Sequence, residues 1–345
     1  MITVSACLIV KNEENVLARC LSSLKDLADE IILVDTGSTD ATKEIGAQFG
    51  CKIFDFTWVD DFAAARNFSF EKAGMDYIYT ADADEVIDEE NRKRFMDLKQ
   101  CILPEIEIVQ MKYTNQLQFN TTYNFDCEYR PKLFKRNRRF EWLDPVHETI
   151  RLEPVIFDSE IEIIHRPEGN HSKRDFDIFN KLIRKGMPLS KKLRSMYARE
   201  LFISGEDQDF LEAEDYFNGL LSEDRTEEEL KIIQCVLTRC GRIKKDGTQI
   251  LKNALKNVAC GKASSEVCYD VGEYFMEAGD FNEAVIWFYN AAYETECELN
   301  IRYSRELPLL KLARCYEQAG DMTQAKFYKE LSSKAVDEKA LEDKK

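Results

Sequence analysis

Strand-like apolar runs alternate with segments of helical periodicity over the first 85 residues, and this alternation limits the possible folds more than any other feature. The strand-like runs are TVSACLIV, EIILVD, CKIFDF and DYIYTAD, and a helical segment follows each of the first three. Such alternation is typical of a mostly parallel sheet with helices on both faces. We therefore predict an α/β domain at the start of the chain.

Polar, acid-rich clusters follow three of these strands, at Lys11–Glu14, Asp35–Asp40 and Asp82–Glu85. In open α/β sheets, ligands bind outside the carboxyl ends of the strands. The three clusters should therefore line one edge of the sheet. Two strand-like runs after residue 105 should close the sheet as antiparallel members, and EIEIIHRP is predicted to form another strand.

Helix-start signals lie within these clusters. Asn12 is suited to cap the first helix, and Ser38 or Thr39 the second. Asp88 and the two glutamates after it favour the first turn of a further helix. The helix start therefore explains the acids from Asp88 onward without a catalytic or ligand-binding role.

Asp82 and Asp84 directly follow the fourth strand. On extended backbone, residues i and i+2 point the same way, so both carboxylates should face one ligand. A divalent cation such as Mg²⁺ or Mn²⁺ would cancel their repulsion and pair with substrate phosphates. The sequence therefore predicts a metal–phosphate site, and it assigns no role to Glu85.

The same letters, DADEV, also fit the D-x-D-x-[TV] nucleophile of haloacid-dehalogenase-like phosphatases. That motif normally opens its domain on the first strand, whereas three strands precede it here. The downstream Gly-Asp pairs, Gly279-Asp280 and Gly320-Asp321, lie in helical repeats. A phosphatase is therefore the weaker alternative.

Further polar residues have both a chemical and a structural interpretation. Asp35 is suited to accept from a nucleobase or ribose, or belongs to a plain capped turn. Arg66 is suited to bind a pyrophosphate, or faces solvent on its helix. In LDPVHE, His147 is a candidate metal ligand and Glu148 or Asp144 a candidate general base, although an ordinary structural histidine is the usual outcome.

Composition excludes several classes of protein. The length of 345 residues favours two domains, and 64 acids against 48 bases give a net charge of −16, which disfavours nucleic acid and anionic membranes. Eleven scattered cysteines without C-x-x-C favour a reducing cytosol. No phosphate-binding glycine loop, signal peptide or membrane span is predicted, so we expect a cytoplasmic protein.

Strand signals stop after residue 170, and a helical repeat begins. Residues 269–292 resemble 309–332, with Gly279-Asp280 matching Gly320-Asp321 at an offset of 41. Residues 197–221 have the same helix–glycine turn–helix shape. The pattern A-G-D-x-x-x-A resembles tetratricopeptide (TPR) repeats, with a period longer than the usual ~34 residues. We predict three parts: an α/β domain at 1–170, an α-helical TPR-like domain at 171–335 and a flexible tail at 336–345.

Five segments in order give the N-terminal part a family resemblance. SACLIVKNEENVLARCLSSL, DEIILVDTGSTDAT, DFAAARNFS, DADE and VHE resemble a family 2 glycosyltransferase of the GT-A fold, over about residues 1–170. The chain is most similar to a subgroup with helical repeats that includes sublancin-type S-glycosyltransferases and lipopolysaccharide-core β-glucosyltransferases. The resemblance implies a Rossmann-like, mostly parallel sheet followed by TPR-like repeats.

The resemblance also implies inverting transfer of a sugar from a nucleotide donor, usually UDP-linked. It places Asp82 and Asp84 on Mg²⁺ or Mn²⁺ at the diphosphate, and it places His147 and Glu148 at the reacting centre. The residues that it implies at the donor are Glu14, Asp35, Asp61, Arg66, Asn67 and Asp82. Thr36 departs from the family, which often has a second Asp there, and no clear E-D base motif is present.

The sequence thus predicts a metal-dependent, inverting glycosyltransferase that moves a hexose, of glucose or N-acetylglucosamine type, from a UDP-sugar to an acceptor. Helical repeats present peptide-binding grooves or mediate homodimers. A peptide or protein acceptor is therefore slightly favoured over a lipid-linked or lipopolysaccharide-type saccharide. The alternative from another class is an inactive, transferase-like scaffold whose repeats carry the function.

Overall fold

The computed structural model describes the chain in seven stretches: 1–114, 128–146, 148–150, 154–166, 172–222, 225–259 and 261–342. The described residues fall into two compact units, one ending at residue 166 and the other beginning at Ser172. The expected domain boundary at residue 170 lies outside the described residues. No helix in these stretches is both long and apolar enough to cross a membrane.

The first unit is built on an eight-stranded mixed sheet with the order β3-β2-β1-β4-β7-β6-β10-β5. A two-stranded ribbon, β8-β9, accompanies it. The strands are β1 Val4–Val10, β2 Glu30–Asp35, β3 Lys52–Asp55, β4 Tyr77–Ala81, β5 Glu85–Val86, β6 Ile108–Thr114, β7 Glu128–Lys135, β8 Trp142–Leu143, β9 Thr149–Ile150 and β10 Ile156–His165.

The predicted α/β class is confirmed by the direction of these strands. β1 pairs in parallel with β2 and β4, and β2 pairs in parallel with β3. β7 runs antiparallel between β4 and β6, as predicted, but β6 then runs in the same direction as β4 and pairs in parallel with β10. The expectation that both runs after residue 105 would be antiparallel is therefore wrong for β6.

Four helices belong to this unit: α1 Leu17–Leu24, α2 Thr42–Gln48, α3 Phe62–Lys72 and α4 Glu89–Cys101. Their apolar faces pack on the sheet, whose central strands are buried on both faces; all five residues of β4 are buried. Asp88 caps α4 by accepting from the Asn91 amide, as its position in the sequence suggested. The predicted caps of α1 and α2 are wrong, because these helices begin later, at Leu17 and Thr42, without a side-chain cap.

The second unit is helical, which confirms the change of pattern in the sequence. Its helices are α5 Ser172–Arg184, α6 Lys191–Ser204, α7 Asp207–Leu220, α8 Glu227–Lys244, α9 Gly247–Ala259, α10 Ser265–Glu277, α11 Phe281–Tyr289, α12 Glu306–Gln318 and α13 Met322–Glu342. A π-helical turn at Asn290–Glu294 and a 3₁₀ turn at Ile301–Ser304 lie between α11 and α12. These inserted turns account for the long offset of 41 residues between the two repeats seen in the sequence.

The repeat turns at Gly279 and Gly320 have the same geometry, whereas Gly205, in the third predicted unit, differs with φ of −69°. Gly279 and Gly320 adopt left-handed backbone with φ of 81° and 80°, and the aspartate after each accepts from the backbone amide three residues on. Lys245 adopts φ of 58° between α8 and α9, and Asp246 caps α9 in the same way. This turn lies 34 residues before Gly279 and was missed in the sequence, because lysine stands where the other turns have glycine.

Candidate functional site

Two of the acid-rich loops interlock at the carboxyl edge of the sheet, as predicted. The Asn12 side chain accepts from the Thr39 amide at 2.8 Å, and the Asn12 amide donates to Ser38 Oγ at 2.9 Å. Glu14 Oε2 accepts from the Ala41 amide at 3.0 Å. Asn12 and Ser38 therefore join the loops instead of capping helices, and Glu14 helps to hold the second loop.

Asp35 ends β2 with a buried carboxylate. Its Oδ2 accepts from the amides of Gly37 and Ser38, both at 3.1 Å, and lies 3.5 Å from Lys43 Nζ. Gly37 has a φ of 104°, a conformation that favours glycine. Asp35 thus shapes the turn after β2, and its contact with a nucleotide stays a prediction.

The D-x-D segment forms a turn and is not extended. The Glu85 amide donates to the Asp82 carbonyl at 3.1 Å, which reverses the chain directly after β4. The prediction that both carboxylates point the same way because of extended backbone is therefore wrong. In the turn, Asp82 lies near Arg66, whereas Asp84 hydrogen-bonds to His165.

Asp82 is half exposed and negatively charged. Its Oδ1 lies 3.9 Å from Arg66 Nη2. Partial burial opposes ionisation, but the positive charges of Lys132, Arg66 and Arg130 outweigh this effect and lower the pKa of Asp82 to about 2. Asp82 therefore presents a carboxylate to solvent at any physiological pH.

Asp84 is held from the neighbouring strand β10. His165 Nε2 lies 3.1 Å from Asp84 Oδ2, and the Arg166 amide donates to the Asp84 carbonyl at 2.9 Å. The imidazole packs on the Tyr113 ring with centroids 5.1 Å apart. Asp84 is therefore fixed through both its side chain and its backbone.

Glu85, to which the sequence assigned no role, is buried beneath the turn. Lys132 Nζ donates to Glu85 Oε1, and 5% of Lys132 and 2% of Glu85 are exposed. Burial raises the pKa of Glu85 to about 7, and the charge of Asp82 adds to the effect, while Lys132 opposes it. This pair anchors the D-x-D turn to β7.

Arg66 brings a third carboxylate into the site. Its Nε and Nη2 donate to Glu148 Oε1 at 2.9 and 2.6 Å, and its guanidinium lies 5.0 Å from the centroid of the Trp142 ring. The side chains of Arg66 and Glu148 are only 15% and 13% exposed. Arg66 therefore does not face solvent, and one cation joins Glu148 to Asp82.

Asp61 and Asn67 have structural contacts on α3. Asp61 caps the helix by accepting from the Ala64 amide at 2.9 Å. The Asn67 amide group donates to the Trp142 carbonyl at 2.9 Å and accepts from the Trp142 amide at 2.8 Å. These bonds hold α3 against β8, and the predicted contacts of Asp61 and Asn67 with a donor stay predictions.

His147, predicted as a metal ligand and catalytic residue, lies outside the described residues. Among the side chains that are described, no group of three or more His, Cys, Asp and Glu converges on a single point. The roles of Asp82 and Asp84 as cation ligands therefore stay predictions.

Sequence reasoning missed His165, Lys132 and Trp142. For His165 a signal was available, because it ends the strand run EIEIIH, and strand ends carry the other candidates. Lys132 and Trp142 have no such signal, since each becomes part of the site through a partner distant in sequence.

Residues 5–151 match the family model described as Glycosyl transferase family 2. The SPbeta prophage-derived glycosyltransferase SunS of Bacillus subtilis is 28% identical over 235 residues, which cover 61% of this chain and 52% of SunS. A TPR repeat-containing protein of Synechococcus elongatus is 48% identical over 85 residues, 25% of this chain and 21% of that protein. The chain therefore spans about half, or less, of the length of these relatives.

Solved structures also resemble the chain. Glucosyl-3-phosphoglycerate synthase from Mycobacterium tuberculosis, in complex with Mn²⁺, UDP-glucose and phosphoglyceric acid, matches with a TM-score of 0.42 and 17% identity. The match covers 55% of this chain and 82% of that one. This similarity is too low to transfer a ligand or a residue role.

Proposed function

The chain carries a glycosyl transferase family 2 domain over residues 5–151, and from this premise we propose that it is a metal-dependent, inverting glycosyltransferase. The donor in this proposal is a UDP-sugar with a hexose of glucose or N-acetylglucosamine type. The acceptor is a peptide or protein, since helical repeats commonly present grooves for peptides.

One observation carries the proposal: Arg66 holds the Glu148 carboxylate beside the ionised, half-exposed Asp82 at the carboxyl edge of the sheet. A transferase of this kind needs an acid pair for the donor diphosphate and a carboxylate for the acceptor. In support, Arg66 contacts both Glu148 and Asp82, one acid of that pair, although the two carboxylates are 66 residues apart in sequence.

In this proposal Asp82 and Asp84 would hold a divalent cation together with the donor phosphates. Asp82 is ionised and half exposed, and Asp84 is hydrogen-bonded to His165 through Oδ2. Hard cations such as Mn²⁺ and Mg²⁺ favour carboxylate oxygens together with substrate phosphates. When bound, the cation neutralises charge on the departing diphosphate.

Glu148 is the proposed general base. Both hydrogen bonds from Arg66 go to Oε1, so Oε2 is the oxygen that would take the acceptor proton. The acceptor then attacks the anomeric carbon from the face opposite the diphosphate, which inverts the configuration. An acceptor thiol would depend less on this base, because it ionises near neutral pH.

The test is release of UDP from UDP-glucose and UDP-N-acetylglucosamine with Mn²⁺ or Mg²⁺, in water and with peptide or saccharide acceptors. Asp84→Asn should abolish turnover. Glu148→Gln should lower transfer to a hydroxyl acceptor by about 10²–10⁴-fold. Asp97→Asn, on the exposed face of α4, is the matched control and should retain activity.

Each negative result has a defined meaning. Full activity of Asp84→Asn would refute the metal role, and full activity of Glu148→Gln would refute the base. A wild-type protein that neither binds UDP with a cation nor releases it from any donor would favour the inactive scaffold.

A further inference from the structure

We propose that His165 is a positioning residue that fixes the carboxylate of Asp84 for cation binding. The inference rests on the proposed function, because it concerns the same acid pair. It assigns His165 no contact with the cation or with the donor.

The first support is the direct hydrogen bond. His165 Nε2 lies 3.1 Å from Asp84 Oδ2, and the two side chains are 10% and 16% exposed. A carboxylate oxygen accepts, so Nε2 carries the proton in this contact. The bond occupies Oδ2 and directs Oδ1 away from His165.

The second support is the backbone on both sides of the contact. β10 pairs antiparallel with β5, and His165 stands opposite Glu85 in the register. The Arg166 amide donates to the Asp84 carbonyl at 2.9 Å. His165, the last residue of β10, and Arg166, which follows it, therefore hold Asp84 in its turn through one side-chain bond and one backbone bond.

The third support is the packing of the imidazole. Its ring lies 5.1 Å from the centroid of the buried Tyr113 ring at an angle of 34°. Arg130 lies 3.9 Å from the same Tyr113 ring. Packing on a buried ring restricts rotation of His165, so the hydrogen bond imposes its direction on Asp84.

Residues that hydrogen-bond to a metal ligand typically change metal affinity by about 10–100-fold when they are removed. We therefore expect His165→Phe, which keeps a ring on Tyr113 but lacks the donor, to weaken Mn²⁺ binding by about that factor. His165→Gln places an amide N–H near the position of Nε2 and should recover part of the affinity.

The experiment measures Mn²⁺ binding in the presence of UDP by titration calorimetry, with thermal unfolding followed in parallel. The variants are His165→Phe, His165→Gln, Asp84→Asn and the double variant Asp84→Asn/His165→Phe. If His165 acts through Asp84, His165→Phe should have no further effect on Mn²⁺ affinity in the Asp84→Asn background.

Three results would overturn the inference. Wild-type Mn²⁺ affinity in His165→Phe would limit His165 to a role in folding. An equal loss of affinity in the Asp84→Asn background would make His165 a metal ligand itself. If His165→Phe does not fold, the third result comes from His165→Gln, which lacks the ring but keeps an N–H donor. A complete loss of Mn²⁺ affinity in His165→Gln would refute the inference. Unchanged Mn²⁺ affinity in that variant would support the hydrogen bond as the determinant.

Failure of the proposed function gives a different pattern. A wild-type protein that binds no cation with UDP would refute the metal-dependent transferase and, with it, any positioning of a cation ligand. Cation binding in the wild type that is unaffected by every His165 variant would refute this inference alone.

Discussion

The buried Glu85–Lys132 pair should make the stability of the first unit depend on pH in a direction that the structure fixes. Burial raises the pKa of Glu85 from its ordinary 4.5 to about 7. The folded state therefore binds this proton more tightly than the unfolded state. The resulting stabilisation is complete below pH 4.5 and is lost as the pH rises through 7, with a size of about 3 kcal/mol.

The measurement compares the wild type with Lys132→Met/Glu85→Gln, which removes both charges and keeps the shapes of the side chains. Urea unfolding is followed by tryptophan fluorescence in a Trp287→Phe background, which leaves Trp58 and Trp142, both in the first unit. We expect the unfolding free energy of the wild type, relative to the double variant, to fall by up to about 3 kcal/mol between pH 4.5 and pH 8.

The control is the exposed cross-strand pair Lys112–Glu160, changed to Met and Gln. The hydrogen bond from Lys112 lowers the pKa of Glu160. The unfolding free energy of the wild type, relative to this control variant, should therefore not fall as the pH rises. A Glu85 contribution that is constant from pH 4.5 to pH 8 would refute the reasoning. It would mean that Lys132 compensates the burial of a permanently ionised Glu85.

Two further substitutions test the local structure. Lys245→Gly should stabilise the second unit by about 0.5–1 kcal/mol, because Lys245 has the left-handed φ of 58° that Gly279 and Gly320 adopt in the other repeat turns; a lower melting temperature would contradict this. Asn67→Asp should destabilise the first unit by about 1–3 kcal/mol, because it replaces the donor to the Trp142 carbonyl with an acceptor. An unchanged urea-unfolding curve, followed by tryptophan fluorescence, would show that this hydrogen bond contributes nothing to stability.

Periodicity and strand direction made the fold and the edge of the site predictable. Alternating strands and helices with apolar strand runs leave few arrangements other than a covered, mostly parallel sheet. The ends of β1, β2 and β4 then had to meet, and the parallel pairing of β1 with both β2 and β4 confirms it. These rules depend on the chain order alone, so a single sequence is enough for them.

Local preference failed where a distant partner competed for the same group. Asn12 is a good helix cap, but its side chain bonds to Thr39, 27 residues away, with its own backbone at φ of 56°. Glu85 and Lys132 are 47 residues apart, and Asp84 and His165 are 81 apart. No periodicity or spacing within one chain specifies such pairs.

The α3 motif shows how a resemblance can locate a segment without fixing what its residues contact. Asp61 caps the helix and Asn67 binds the backbone of Trp142, so two of the three residues predicted to contact the donor hold the segment in place. Arg66 then meets Glu148 at 2.6 Å and Asp82 at 3.9 Å. Only Glu148 is within hydrogen-bond distance of Arg66, so the main effect of Arg66 in the described site is to orient the Glu148 carboxylate. Substituting Arg66 should therefore impair transfer to an acceptor more than it weakens binding of UDP.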